Sequence, residues 1–91
     1  MLPGRARPAM LLPNWGCEYP AASRYEGAVR LIATVRPDGT AESVQILFDP
    51  GHGFAEIARD CAMRQPFLPA LDERGQRIRS KTRPFTVHFV R

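Results

Sequence analysis

Few side chains in this sequence could carry out catalysis or bind a metal, and they are far apart. There are two cysteines, Cys17 and Cys61, and two histidines, His52 and His88. Neither cysteine lies in a C-x-x-C motif, and the spacing of the four residues matches no structural zinc site. His52 stands in a glycine-rich turn, whereas His88 lies on the outer face of a predicted strand, so a shared catalytic centre is not indicated. We therefore predict no enzyme activity, no metal site and no cofactor.

The simplest joint role for the two cysteines is a disulfide bond. Cys17 and Cys61 would close a loop of about 45 residues, which a chain-entropy estimate equates with roughly 4 kcal/mol of stabilisation. The alternative is a pair of separate buried thiols, because free cysteine is among the most buried residue types. A disulfide would place the chain in an oxidising compartment, either the periplasm or the outside of the cell.

Length and composition predict one small globular domain. The chain has 91 residues, of which 44% are hydrophobic and 24% are charged, and a chain of this size has room for a single thin core. The formal net charge is +4, but the basic residues are scattered, which favours a solvated surface over a nucleic-acid-binding patch. The sequence has no apolar run of about 18 residues, so we predict no membrane-spanning helix within this chain.

The first residues differ in composition from the rest. Residues 1–15 are rich in proline and show no periodicity, and we predict a linker or an arm that lies on the domain. Residues 16–91 form the predicted domain. The apolar stretch at 9–12 is too short for a signal peptide. We therefore expect any export signal or membrane anchor to lie upstream of this chain.

The strongest local prediction is a β-hairpin. Apolar side chains alternate over residues 28–36 and again over 44–48, which is typical of half-buried strands. Ile32 is an apolar exception on the outer face of the first strand. Between the two strands, Pro37-Asp38-Gly39 provides the preset φ, the local hydrogen-bond acceptor and the positive φ that a tight turn needs.

Two helices and one further strand complete the prediction. A short helix is predicted over residues 20–24 and a longer one over 54–64. An exposed loop follows at 72–75, and alternation over 82–91 predicts a closing strand. The apolar stripe of the longer helix is formed by Phe54, Ile57, Ala58 and Cys61. The predicted fold class is α+β: a three-stranded antiparallel sheet covered by one helix, with a short N-terminal helix, in the order α-β-β-α-β. The closing strand is expected at an edge of the sheet.

Four short motifs occur in a fixed order along this domain. Tyr19-Pro20-Ala21-Ala22 is similar to a Y-P-x-x-A motif, and Glu26-Gly27 follows it. Residues 35–47 are similar to V-x-x-D-G followed by V-x-I/V-L, and Phe67-Leu68-Pro69-Ala70 is similar to an aromatic-x-P-A motif. From Tyr19 to the last residue, this ordered set resembles the TonB C-terminal domain family. The segment between the first two motifs is shorter than in the family, and Gln65-Pro66-Phe67 replaces the usual W-R-F/Y.

The resemblance implies a periplasmic domain of an energy transducer, tethered to the inner membrane in the full-length protein. Such a domain links inner-membrane motor proteins, through an N-terminal anchor, to an outer-membrane transporter. It binds an extended segment of that partner, the TonB box, by β-strand addition to an exposed edge. The residues expected to contact the partner are those of the closing strand, Arg83, Phe85, Thr86, Val87, His88, Phe89 and Val90, together with Tyr19 and Arg24.

The resemblance also implies where the two cysteines lie in the fold. Cys17 precedes the first helix and Cys61 lies on the inward stripe of the second, so a bond between them would join the entering chain to the helix that covers the sheet.

Two alternatives remain open for the function. The same edge could pair with a second copy of the chain and form a homodimer. The domain could also serve a system other than transport, as an envelope module that binds peptidoglycan or a motility complex, since fold does not fix function. Nucleic acid is not expected as a partner, because the aromatic side chains of the closing strand face inward and cannot stack on bases.

Overall fold

A computed structural model describes residues 6–12, 16 and 26–89. Its elements in chain order are β1 (Met10–Leu11), β2 (Gly27–Val35), β3 (Ala41–Phe48), α1 (Phe54–Arg64), β4 (Phe67–Leu68), β5 (Ala70–Leu71), β6 (Arg77–Ile78), β7 (Ser80–Lys81) and β8 (Phe85–Phe89). The fold is therefore α+β with antiparallel sheets, as predicted. The short helix predicted over residues 20–24 lies outside the described residues.

Strands β2 and β3 form the predicted hairpin. Its turn is closed by hydrogen bonds from the Arg36 N–H to the Thr40 carbonyl, at 2.8 Å, and from the Gly39 N–H to the Arg36 carbonyl, at 2.9 Å. Asp38 Oδ1 accepts bonds from the Thr40 hydroxyl and from the Thr40 N–H, at 2.6 and 2.9 Å. Gly39 has φ 90°, a conformation that glycine adopts without steric cost. The Pro-Asp-Gly signal thus acts through the predicted chemistry.

The main sheet has four strands, not the three that we predicted. β2 is central, with β3 on one side and both β7 and β8 on the other, all antiparallel to it. Two small sheets, β1 with β4 and β5 with β6, lie beside the main one. The extra strands are not apparent in the sequence, because each has only two residues, too few for alternation to be visible.

Helix α1 has the predicted bounds, but its buried face differs from the predicted stripe. Ile57 is 38% exposed and Cys61 is half-buried, so the prediction that both face inward is wrong for the first and only partly right for the second. The buried residues are Phe54, Ala55, Ala58 and Ala62. Alanine has a short side chain, so this face lets the helix approach the sheet closely, and packing therefore favours it over the face that carries Ile57.

The core lies between α1 and the inner face of the sheet. Along β2 the four alternating side chains of Val29, Leu31, Ala33 and Val35 are all 0% exposed. The rings of Phe54 and Phe89 stack at 4.8 Å between centroids, with 14° between their planes. On β3 the alternation over residues 44–48 predicts that Val44, Ile46 and Phe48 share the inner face. That prediction is wrong for Phe48, which is 58% exposed.

The segment after the helix returns to the sheet through a second turn. Asp72 Oδ1 accepts hydrogen bonds from the N–H groups of Arg74 and Gln76, each at 2.9 Å. This turn is the exposed loop predicted at 72–75, and it joins β5 to β6. Arg79 forms a bidentate ion pair with Glu42 of β3, in which Nε donates to Oε1 at 2.9 Å. That bond holds the pKa of Glu42 below its ordinary value.

Residues 6–12 lie against the strands that follow helix α1. Arg7 and Leu71 exchange both backbone hydrogen bonds, at 3.1 and 3.0 Å, and Met10 pairs with Leu68 in the antiparallel β1–β4 sheet. Ala9 is buried, with 2% of its surface exposed. We refer to residues 6–12 as the arm.

Candidate partner-binding edge

The closing strand lies at one side of the main sheet. β8 pairs with β2 from Gly27 opposite Phe89 to Leu31 opposite Phe85. Within the part of the chain that the structure describes, β8 has no other strand partner. The strand starts at Phe85, so the prediction that it extends over residues 82–91 is too long at its beginning, and its predicted end lies outside the described residues.

The predicted contact residues divide by where their side chains point. Val87 is 4% and Phe89 0% exposed, and Phe85 is half-buried against the core. Thr86 and His88 are exposed on the outer face. Phe89 and Val87 can therefore contact a partner only through their backbone, whereas Thr86 and His88 can also use their side chains. Three predicted contact residues, Val90, Tyr19 and Arg24, lie outside the described residues.

A bulge separates this strand from β7. Thr82 donates its N–H to the Ala33 carbonyl at 2.8 Å, and its buried hydroxyl accepts from the Ala33 N–H at 3.1 Å. The next pairing is between Phe85 and Leu31, so Arg83 and Pro84 together face the single residue between Ala33 and Leu31. Such an extra residue interrupts the ladder and turns the edge. Arg83, predicted as part of the strand, lies instead in this bulge with its side chain exposed.

The arm meets the sheet at the same place. Ala9 forms a parallel bridge with Thr82, after which the arm diverges to pair with Leu68 and Phe67. Between the arm and the bulge there is an open groove of about 490 Å³, which we call the arm groove; its walls are residues 8–11 and 82–85. This groove leaves no signal in the sequence, because it requires contacts between residues more than seventy positions apart.

The chain segment that leads to the closing strand carries charged side chains of one sign. Residues 77–89 include Arg77, Arg79, Lys81, Arg83 and His88, and they include no aspartate or glutamate. Arg79 is paired with Glu42. Within the described residues, the side chains of Lys81 and Arg83 form no ion pair or hydrogen bond, and both are exposed. The edge and the bulge therefore offer positive charge to a partner.

The other residues considered from the sequence are placed elsewhere. Cys61 Sγ lies 3.6 Å from the Gly16 carbonyl oxygen, and the Gln65 amide donates to it at 3.7 Å. No cysteine among the described residues is a free thiol. Cys17 lies outside these residues, so its pairing with Cys61 stays a prediction. His52, with φ 61°, lies two residues before the start of α1, and its ring centroid lies 6.2 Å from that of Phe54. His88 pairs with Ala28 in the sheet.

The described residues contain neither a metal-ligand cluster nor a membrane-spanning helix. They include no group of three or more histidine, cysteine, aspartate or glutamate residues that could hold a metal ion. In the same ranges, 6–12, 16 and 26–89, every helix is too short and too polar to cross a membrane.

The sequence of this chain matches one known protein family. Over residues 17–90, more than half of the chain, the sequence matches the family described as the Gram-negative bacterial TonB protein C-terminal. The chain belongs to this family. Searches of curated proteins and of solved structures found no match. Membership in a Gram-negative TonB C-terminal family implies a periplasmic domain.

The matched region has a structural meaning in this TonB C-terminal domain. It contains the hairpin, helix α1 and all of β8, so the candidate edge belongs to the family part of the chain. The arm, residues 6–12, lies before the match. The arm groove is therefore built between a family strand and a segment outside the family match.

Proposed function

We propose that this domain is the partner-binding end of a TonB-like energy transducer, and that it holds an extended segment of an outer-membrane protein, the TonB box, as an added strand on β8. The observation that carries the proposal is the position of β8 at a side of the main sheet, with β2 as its partner among the described residues. A strand in this position presents main-chain N–H and C=O groups that an extended segment can satisfy.

A backbone contact just before the strand supports the proposal. Thr82, three residues before β8, is bonded to Ala33 of β2 on one side and bridged to Ala9 of the arm on the other. The partner's segment would continue in the same direction along Thr86, Val87 and His88. The exposed side chains of Thr86 and His88 would add contacts on the outer face, together with Tyr19, Arg24 and Val90 as predicted from the sequence.

The proposal extends to the rest of the transducer. The full-length protein is tethered to the inner membrane upstream of this chain, where motor proteins drive it. The domain transmits that work by pulling on the bound segment. The role in this proposal is binding and not catalysis, which is supported by membership in the TonB C-terminal family.

We also propose that Cys17 and Cys61 form a disulfide. Cys61 Sγ lies 3.6 Å from the carbonyl oxygen of Gly16, the residue that precedes Cys17, so the backbone next to Cys17 is already beside the sulfur. The bond would tie the entering chain to α1, and an oxidising periplasm would maintain it.

Peptide binding tests the strand-addition proposal. The isotope-labelled domain is titrated with TonB-box peptides of outer-membrane transporters, each in three forms: unmodified, N-methylated at odd positions and N-methylated at even positions. Only one set of alternate amides of an added strand points at the sheet. We expect one methylated form to bind like the parent and the other to lose binding, with NMR shifts at Thr86, Val87 and His88.

Three results would contradict the proposal. Equal binding of both methylated forms would show that no main-chain ladder forms. Shifts that avoid β8 would place the site elsewhere. Concentration-dependent shifts of β8 without peptide would show that the edge pairs with a second copy of the chain.

A further inference from the structure

We propose that the arm groove is a side-chain subsite, and that it takes one bulky aliphatic residue of the incoming segment next to a carboxylate of that segment. This inference rests on the proposed function, because the same added strand would supply both groups. The inference goes beyond the proposed function because it names the chemistry of the partner at one end of the added strand.

The position of the groove relative to β8 is the first argument. The arm runs beside the sheet at Ala9, bridged in parallel to Thr82, and then turns away so that Met10 pairs with Leu68. Beside Thr82, the position that an added strand would take next to the sheet is thus occupied by the arm's own backbone. A partner strand that pairs with residues 86–88 would continue from there along the same edge. The end of that strand nearest Arg83 would reach the groove.

The chemistry of the walls is the second argument. The arm contributes Pro8, Met10 and Leu11, and the opposite wall contributes Pro84 and Phe85. Met10 is 41% exposed although its neighbour Leu11 packs against the core. The volume of about 490 Å³ is at the lower end of the range usual for ligand sites. A leucine, isoleucine or methionine side chain would bury its apolar surface against these walls.

Charge identifies the neighbouring residue of the partner. Arg83 lines the groove and Lys81 lies two residues before it, both exposed. Their side chains form no ion pair within the described residues. Among the residues that line the groove, Arg83 is the one with a charged side chain, and a carboxylate on the partner is complementary to it and to nearby Lys81.

The test uses synthetic ten-residue peptides in which valine and threonine alternate and a Glu-Leu pair stands at either the N-terminal or the C-terminal end. Matched peptides have Glu-Ala or Lys-Leu in place of Glu-Leu. The wild-type domain is titrated by NMR, which reports the affinity and the place of binding together. Adding the strand parallel to β8 would put the peptide's N-terminal end at Arg83, and antiparallel addition would put its C-terminal end there.

We expect one of the two Glu-Leu peptides to bind at β8 about tenfold more tightly than its Glu-Ala and Lys-Leu forms, which corresponds to about 1.4 kcal/mol for each change. Met10→Asp in the protein should remove the preference for leucine, and Arg83→Glu should reverse the preference between glutamate and lysine. Met63→Asp is the matched control, because Met63 is 39% exposed on α1 and lies outside the groove; it should leave both preferences unchanged.

The outcomes separate this inference from the proposed function. Binding at Thr86 to His88 that ignores the Glu-Leu pair, in wild type and in Met10→Asp alike, would overturn the subsite and leave strand addition standing. Absence of binding at β8 for every peptide, up to millimolar concentration, would overturn both. The NMR spectra of Met10→Asp and Arg83→Glu without peptide show whether each variant is folded, and because Arg83 is exposed, its variant keeps the test informative if Met10→Asp unfolds.

Discussion

Gly27, the first residue of β2, is predicted to have no room for a side chain. An added Cβ would lie 2.8 Å from Phe54 Cδ2, 3.1 Å from Phe54 Cε2 and 3.2 Å from Pro50 Cγ. The Phe54 ring cannot move away easily, because it is 1% exposed and stacked on Phe89 at 4.8 Å between centroids. The Glu-Gly pair that resembles a family motif thus marks the place where the backbone of the sheet meets the core ring of the helix.

The size of the effect follows from this overlap. Carbon atoms pack best at about 3.5–4.0 Å, so Gly27→Ala places its methyl group well inside the preferred distance from a fixed ring. Inserting a methyl group into a packed core typically costs about 1–3 kcal/mol. Replacing glycine also restricts the unfolded chain, which offsets about 0.4–1 kcal/mol of that cost. We expect Gly27→Ala to lower the free energy of unfolding by about 1–2 kcal/mol, a large share for a domain of this size.

Urea unfolding of four variants tests this reasoning. Gly16→Ala is the matched control, because no atom of the described residues beyond its chain neighbours lies within 4 Å of a Cβ at Gly16, and its stability should change by less than about 0.5 kcal/mol. Phe54→Leu removes ring atoms that meet the methyl group. In the Phe54→Leu background, Gly27→Ala should therefore cost at least about 1 kcal/mol less than in the wild type. Equal stability of Gly27→Ala and Gly16→Ala, or the same cost in both backgrounds, would refute the steric explanation.

Three further predictions concern single groups. Thr82→Val should lower the free energy of unfolding by about 1–3 kcal/mol, because the buried Ala33 N–H loses its acceptor, whereas Thr82→Ser should keep most of that stability in the same urea assay. The pKa of Asp38 is lowered by the hydroxyl and then the N–H of Thr40, so the stability it gives is present above its unfolded pKa of 3.8 and is lost as the pH falls through the lower folded value. Asp38→Asn should therefore flatten the acid side of a stability profile measured between about pH 6 and pH 2, and an unchanged slope would contradict this. Cys61→Ser should cost about 4 kcal/mol if the disulfide forms, and mass spectrometry after alkylation without reductant should find no free thiol in the oxidised wild type.

The elements predictable from sequence are those with a local signal. The β2–β3 hairpin was predictable because alternation and Pro37-Asp38-Gly39 act within a few residues, and the bounds of α1 followed from its flanking glycine and proline. The buried face of α1 did not follow, because Ile57 is more hydrophobic than Ala62 and only the close packing of helix on sheet selects the alanine face. The spacing of the hydrophobic residues predicted the helix, but the space between the helix and the sheet determined which face of the helix is buried.

The candidate site was predictable in part for the same reason. The alternation of β8 and its place after a helix predict an edge strand with buried Val87 and exposed Thr86, and burial confirms that pattern. The bulge at Arg83 and the arm groove depend on Ala9 meeting Thr82 and Met10 meeting Leu68. These contacts join residues at opposite ends of the chain and leave no periodic trace in either segment, so only the tertiary structure shows them.

The short length of the accessible strand limits how a partner can bind. The arm already pairs with the chain at Thr82, and Pro84 has no N–H to donate. Only the strand from Phe85 onward is therefore open for pairing with a partner. Such a stretch supports about three main-chain hydrogen bonds, each worth about 0.5–1.5 kcal/mol net. Association costs an estimated 4–15 kcal/mol in lost freedom, so main-chain pairing alone gives little affinity. The remainder must come from side-chain contacts or from tethering, and the arm groove with Arg83 is where the structure offers them. A short edge strand next to a bulge is also a less favourable template for pairing with its own copies than a long, flat edge.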